Sequence, residues 1–171
     1  MHQLTVRGMT CCALFAALLA GCSQIAVPIG PVPINLALLA VCLCGALLSP
    51  ALAGLSVLVY ILLGAVGAPV FAGLKGGPQA LLGLTGGYIL GYLPAAMLTS
   101  LLRGRAGSWL RLALAMAAGV AACYLLGTLW FLRAWGIQNG EPIALSRALS
   151  LCVWPFLPGD GLKIALATLL A

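Results

Sequence analysis

The sequence predicts an all-α membrane protein: a bundle of about six transmembrane helices with a long, apolar, Gly-rich lid loop between helices 3 and 4. Three observations predict it. Mean hydropathy is +1.20. Of 171 residues 64% are hydrophobic and only two are acidic, too few polar groups to clothe a soluble surface. Pro, Gly and charge divide the chain into apolar runs at roughly 9–24, 33–48, 51–67, 86–102, 109–132 and 152–171, each close to the ~20 residues that one crossing requires. The length accommodates one compact bundle over residues 1–171 and no second domain.

The first run follows Arg7 and repeats Ala13, Ala17 and Gly21 every four residues, with Ala16 and Ala20 beside them. That spacing makes a smooth helix face, suited either to internal packing or to close docking of a separate partner. Leu19-Ala20-Gly21-Cys22 also matches a lipoprotein cleavage box. Everything after Cys22 is as apolar as what precedes it, so the run reads as a membrane helix.

The second run is short and flanked by Pro28, Pro31, Pro33 and Pro50, and the last begins at a Pro-rich corner. Ends of that kind belong against protein or a cavity, where freed backbone groups find partners. The connection from Gly67 to Tyr88 is rich in Gly and apolar. A loop of that character folds back on the bundle as a lid, with Phe71 and Tyr88 able to cover a flat apolar ligand. A merely flexible connection is the alternative.

Arg103, Arg105 and Arg111 surround the fourth connection. With Arg7 they place that side, and both termini, in the cytoplasm. Lys75, Arg133, Glu141 and Arg147 then fall in the opposite connections.

In the last run Asp160 and Lys163 stand three apart. On a helix that spacing puts both on one face, and ionisable groups are costly enough at membrane depth to be kept mainly for a task. A helix-capping Asp with a snorkelling Lys is the plainer alternative.

Other chemistries find few residues. There is no Gly-Lys-Ser/Thr phosphate loop. With Glu141 and Asp160 the only acids and His2 the only histidine, neither an enzyme's acid–base set nor a metal site is expected, and no cofactor is called for. Cysteines 11, 12, 22, 42, 44, 123 and 152 all lie in apolar stretches, as small hydrophobes. The net charge of +6 comes mostly from scattered arginines, which reads as orientation and contact with membrane lipid, not as a nucleic-acid surface.

The segments Pro31-Val-Pro33-Ile-Asn35, Leu63-Gly-Ala-Val-Gly-Ala-Pro-Val-Phe-Ala-Gly73, Gly83-Leu-Thr-Gly-Gly-Tyr88-Ile-Leu-Gly91 and Pro155-Phe-Leu-Pro-Gly-Asp160-Gly-Leu-Lys163 resemble the BioY family, biotin-binding membrane components of energy-coupling-factor (ECF) transporters. The resemblance implies a six-helix capture protein of the bacterial inner membrane, working with a transmembrane coupling protein and two cytoplasmic ATPases. It implies that Asp160 and Lys163 are polar biotin contacts, that the loop from Phe71 to Gln79 is the lid, and that the Ala13/Ala17/Gly21 stripe docks the coupling protein. Lys75 is the candidate for the biotin carboxylate, and Asn35, Gln79, Tyr88 and Phe156 complete the expected ligand set. This chain has Asn35-Leu36-Ala37 where the family often reads Thr-Leu-Gln, Leu84 for a usual Pro and Gly161 for a usual Leu, so details of the pocket are expected to differ. Capture of another vitamin, or service as an accessory subunit with Asp160/Lys163 as a relay or assembly pair, remain the competing readings.

Overall fold

The computed structural model describes residues 5–27, 32–104 and 108–171. His2, Pro28, Pro31 and Arg105 lie outside them. The elements run α1 (Val6–Gln24), β1 (Ala26–Val27), β2 (Ile34–Asn35), α2 (Ala37–Leu47), α3 (Pro50–Ala65), α4 (Pro78–Leu82), α5 (Gly86–Leu102), α6 (Trp109–Asn139), α7 (Leu145–Cys152) and α8 (Leu157–Leu170).

Local chemistry sets the boundaries. Thr5 caps α1 by accepting from the Gly8 amide at 3.2 Å, and Ser108 does the same for α6 toward Arg111 at 3.5 Å, each satisfying an amide that the first turn leaves unpaired. Pro50 opens α3, where its missing N–H costs nothing. Gly140, at φ 75°, ends α6 in the left-handed conformation that glycine adopts freely.

By length and apolarity α1 and α6 can each cross a membrane, and the pair α7–α8, bent by 48°, makes a third such span. The remaining apolar helices α2, α3 and α5 have 11, 16 and 17 residues. At ~1.5 Å per residue α2 reaches about half of a ~30 Å hydrocarbon core, and most of it is buried. Protein surrounds it on nearly every side. Helices α5 and α6 share the most extensive contact, while α3 joins α1 to α5 and α2 is bordered by α1, α5 and α8.

Large apolar side chains point outward all around the bundle, among them Leu14, Leu62, Leu63, Leu125 and Leu129. In water so much exposed apolar surface would drive association; in lipid it is the required coat. The chain is a membrane protein.

Several details differ from the sequence expectation. Arg133 lies inside α6 and not in a connection, because α6 continues to Asn139 over 31 residues, about 46 Å, and so outruns the hydrocarbon. The last apolar run does open at its Pro-rich corner, the turn Val153–Phe156, but a helix, α7, precedes that corner and holds Arg147 within it and not in an irregular connection. A two-residue antiparallel ladder, Ala26 with Asn35 and Val27 with Ile34, interrupts an otherwise helical chain. The loop expected to act as a lid holds order of its own: Phe71 and Lys75 pair through both backbone bonds, at 3.0 and 3.2 Å, and α4 follows.

Candidate ligand-binding site

A cavity of about 690 Å³ lies among α2, α3, α5, α6, α8 and the loop from Phe71 to Gln79, a size typical of small-molecule sites. Asp160 and Lys163, on α8, form its polar floor. Lys163 Nζ donates to Asp160 Oδ1 at 2.7 Å, and the two residues are only 4% and 6% exposed. The Tyr124 hydroxyl, from α6, donates to Asp160 Oδ2. Each carboxylate oxygen thus has a donor, one from α8 itself and one from α6, which is what a desolvated charge requires to persist. Each oxygen also keeps a lone pair for a ligand N–H.

Asp160 stands in the first turn of α8, where the helix dipole favours an anion. It nevertheless makes no capping bond, and the Lys163 ammonium turns inward instead of reaching the surface. The side chains do not behave as a cap and a snorkel.

Aromatic residues build the walls. Phe71 packs edge-on against Tyr60 of α3, ring centroids 5.4 Å apart at 82°. Its ring occupies the space above Gly64, where any Cβ would collide with it. Tyr88 is held likewise over Gly127 of α6, and its hydroxyl lies 3.2 Å from Thr128 Oγ1. Asn35 Oδ1 accepts from the Ala37 amide at 3.1 Å, tying the ladder to the start of α2. Phe156, in the turn before α8, is buried against the same space. Lys75, Gln79 and Gln138 line the cavity while remaining exposed. They form its mouth.

All eight residues expected to meet a ligand (Asn35, Phe71, Lys75, Gln79, Tyr88, Phe156, Asp160 and Lys163) line this one cavity. The sequence reading missed Tyr124, Tyr92, Thr85 and Gln138, which line it too. No spacing links them to Asp160, and isolated polar side chains carry no signal until the segments that bear them are packed. Of the departures, Leu84 lines the cavity, whereas Ala37 is packed in the core and Gly161 points into open space. Asn35 is itself part of the ladder and lines the cavity.

Ala13, Ala17 and Gly21 are not part of this cavity. All three are exposed on the outer face of α1, and a Cβ on Gly21 would meet nothing within 4 Å. The opposite face packs inward through Cys12, Ala16, Leu19 and Ser23, with Ser23 Oγ 2.8 Å from the Tyr60 hydroxyl. Arg103 and Arg111 gather at the far end of α5 and α6 from the cavity, where they donate to the Leu48 and Leu102 carbonyls at 3.1 and 3.2 Å.

A family model described as the BioY family matches residues 1–171. The chain is 38% identical over 177 aligned residues to a protein of Rhodobacter capsulatus described as "Biotin transporter BioY", covering 96% of this chain and 91% of that one. It is 38% identical over 159 residues to a "Probable biotin transporter BioY" of Pyrococcus horikoshii, covering 93% and 90%. Among solved structures it superposes on the S-component for biotin from an ECF-type ABC transporter with a TM-score of 0.85 and 26% identity, over 99% of this chain and 91% of that one.

Proposed function

The chain belongs to the BioY family, and from that premise we propose that it captures biotin at the membrane as the substrate-binding component of an ECF transporter. The observation that carries this reading is the buried Tyr124–Asp160–Lys163 cluster at the floor of an aromatic-walled cavity. Biotin offers a fused apolar ring system, a ureido group that donates and accepts, and a carboxylate on an apolar tail. Asp160 accepts from ureido N–H. Lys163 donates to the ureido oxygen or holds Asp160 in place, Phe71 and Tyr88 cover the rings, and Lys75 at the mouth meets the carboxylate. Asn35, Gln79 and Phe156 complete the enclosure, and the loop from Phe71 to Gln79 serves as the lid.

In this reading residues 1–171 form one multi-pass capture domain of the bacterial inner membrane, with α1, α2, α3, α5, α6 and the α7–α8 pair as its six membrane segments. The Arg103/Arg111 end faces the cytoplasm together with both termini, and the cavity opens outward. The exposed Ala13/Ala17/Gly21 stripe is offered to the transmembrane coupling protein of a module that carries the ATPases, since small residues let helices approach closely.

Equilibrium binding of labelled biotin to the purified chain tests the reading. Saturable binding displaced by unlabelled biotin is expected. Displacement by a different vitamin alone would move the chain to another substrate, and no binding of either kind would favour an accessory-subunit role.

A further inference from the structure

We propose that Gln24 is the latch that holds the lid over the cavity. This rests on reading the cavity as the ligand site, but the latch itself has a ligand-free consequence. Gln24 is the last residue of α1. Its Nε2 donates to the carbonyls of Pro69 and Phe71 at 3.2 and 3.1 Å, and its Oε1 accepts from the Leu74 amide at 3.0 Å. One carboxamide therefore grips both sides of the lid's turn. Among the described residues no other side chain from outside the lid hydrogen-bonds the backbone of residues 67–77; the lid's second half is pinned separately, by Trp130 Nε1 to the Gly83 carbonyl at 3.0 Å.

The turn needs such a grip. Leu74 has φ 57°, the one positive value at a non-glycine among the described residues, a conformation that persists only where surrounding contacts over-determine it. Gln24 supplies one such contact directly, to the Leu74 N–H. Phe71 meanwhile gives its carbonyl to Gln24 and its ring to the cavity wall. Without the carboxamide the turn can relax, and the residue that relaxes with it is the one covering the ligand. The chemistry is specific to Gln: Glu keeps an acceptor for Leu74 but turns an anion toward two carbonyls, and Met keeps the length with no donor and only a weak acceptor. Because Gln24 terminates the helix that bears the Ala13/Ala17/Gly21 stripe, a displacement of α1 is transmitted to the lid.

The test is amide hydrogen exchange on the full chain in detergent, without ligand, for Gln24→Met and Gln24→Glu, followed by labelled-biotin dissociation. Exchange across residues 67–77 should quicken by about 10-fold in both variants while α5 and α6 keep theirs, since loops open locally without global unfolding. Biotin should leave about 10-fold faster, with association changed much less. Unchanged exchange in the lid, or acceleration through the whole chain, would overturn the latch. Faster exchange with unchanged dissociation would remove Gln24 from ligand retention. Faster exchange in a chain whose wild type binds no biotin would leave the latch standing and sink the biotin reading.

Discussion

Lys163→Met keeps most of the side chain's length and apolar stem but strips the donor from Asp160 Oδ1, 2.7 Å away. Breaking a buried ion pair from one side costs about 3–5 kcal/mol, because the surviving charge is left desolvated without compensation. Here Tyr124 still holds Oδ2, so the low end, about 3 kcal/mol, is expected. Ligand binding should weaken as well. A hydrogen bond to a charged group contributes about 1.5–3 kcal/mol, or roughly 10- to 150-fold in affinity. The double variant Asp160→Leu/Lys163→Met separates the two effects: removing both charges together is often close to neutral for stability, apart from ~1 kcal/mol for the orphaned Tyr124 hydroxyl. It should therefore be about 2 kcal/mol more stable than Lys163→Met while binding no biotin. Unfolding in mixed detergent gives the stabilities, and equilibrium binding gives the affinities. A double variant as unstable as the single would show that the pair is not energetically coupled. Near-wild-type affinity in Lys163→Met would show that the pair does not serve the ligand.

Tyr124→Phe should lower biotin affinity by roughly 10-fold through loss of a hydrogen bond to a charged acceptor, and the loss should shrink to a few-fold in an Asp160→Asn background, where the partner is neutral, as a thermodynamic cycle of binding constants will report. Gly64→Ala places a Cβ inside the Phe71 ring, so the ring must leave the wall; biotin dissociation should quicken by about 10-fold or more, and an unchanged rate would mean that Phe71 does not retain the ligand. Ala17→Trp should block close helix approach and abolish capture of the purified coupling module while leaving biotin affinity within about 2-fold. Lost affinity with docking intact would assign the stripe to the chain's own packing.

Much of this was legible in the sequence, for physical reasons. Asp160 and Lys163 stood out because charge is rare in lipid and i, i+3 spacing unites a helix face. The loop from Gly67 to Tyr88 stands out because a long apolar loop has to lie against something. What stayed hidden depends on packing between distant segments. The Ala13/Ala17/Gly21 spacing defines a face, but only the neighbours of α1 decide that this face points outward. Gly64 and Gly127 looked like any other membrane glycine, yet each accommodates an aromatic ring of the site. Tyr124 meets Asp160 across 36 residues of sequence and Gln24 meets Leu74 across 50. Hydropathy alone puts Arg133 in a connection because it drops where α6 leaves the hydrocarbon, although the helix itself continues.

The break between α7 and α8 is what gives the site its orientation. A continuous last helix would carry Asp160 in mid-span. The 48° bend instead starts α8 at the cavity, with Asp160 in its first turn and the positive end of the helix dipole beneath it. Discontinuous membrane helices commonly supply binding sites in this way. The floor that results is a charge pair with no net charge, closed by a tyrosine. A neutral group that both donates and accepts can join such a floor, since it adds hydrogen bonds without adding charge. A carboxylate there would have to share the desolvated space with Asp160, and like charges in a low dielectric repel strongly. On the proposed reading the acid end of the ligand belongs at the mouth, where Lys75 stays exposed. For biotin the consequence is ureido ring inward and carboxylate outward. An amide of biotin should then lose affinity mainly through Lys75: it should bind Lys75→Ala and wild type within about 2-fold of each other, whereas biotin itself should bind Lys75→Ala several-fold more weakly, the usual scale for an exposed ion pair. Equal weakening of acid and amide by Lys75→Ala would reverse the orientation argument.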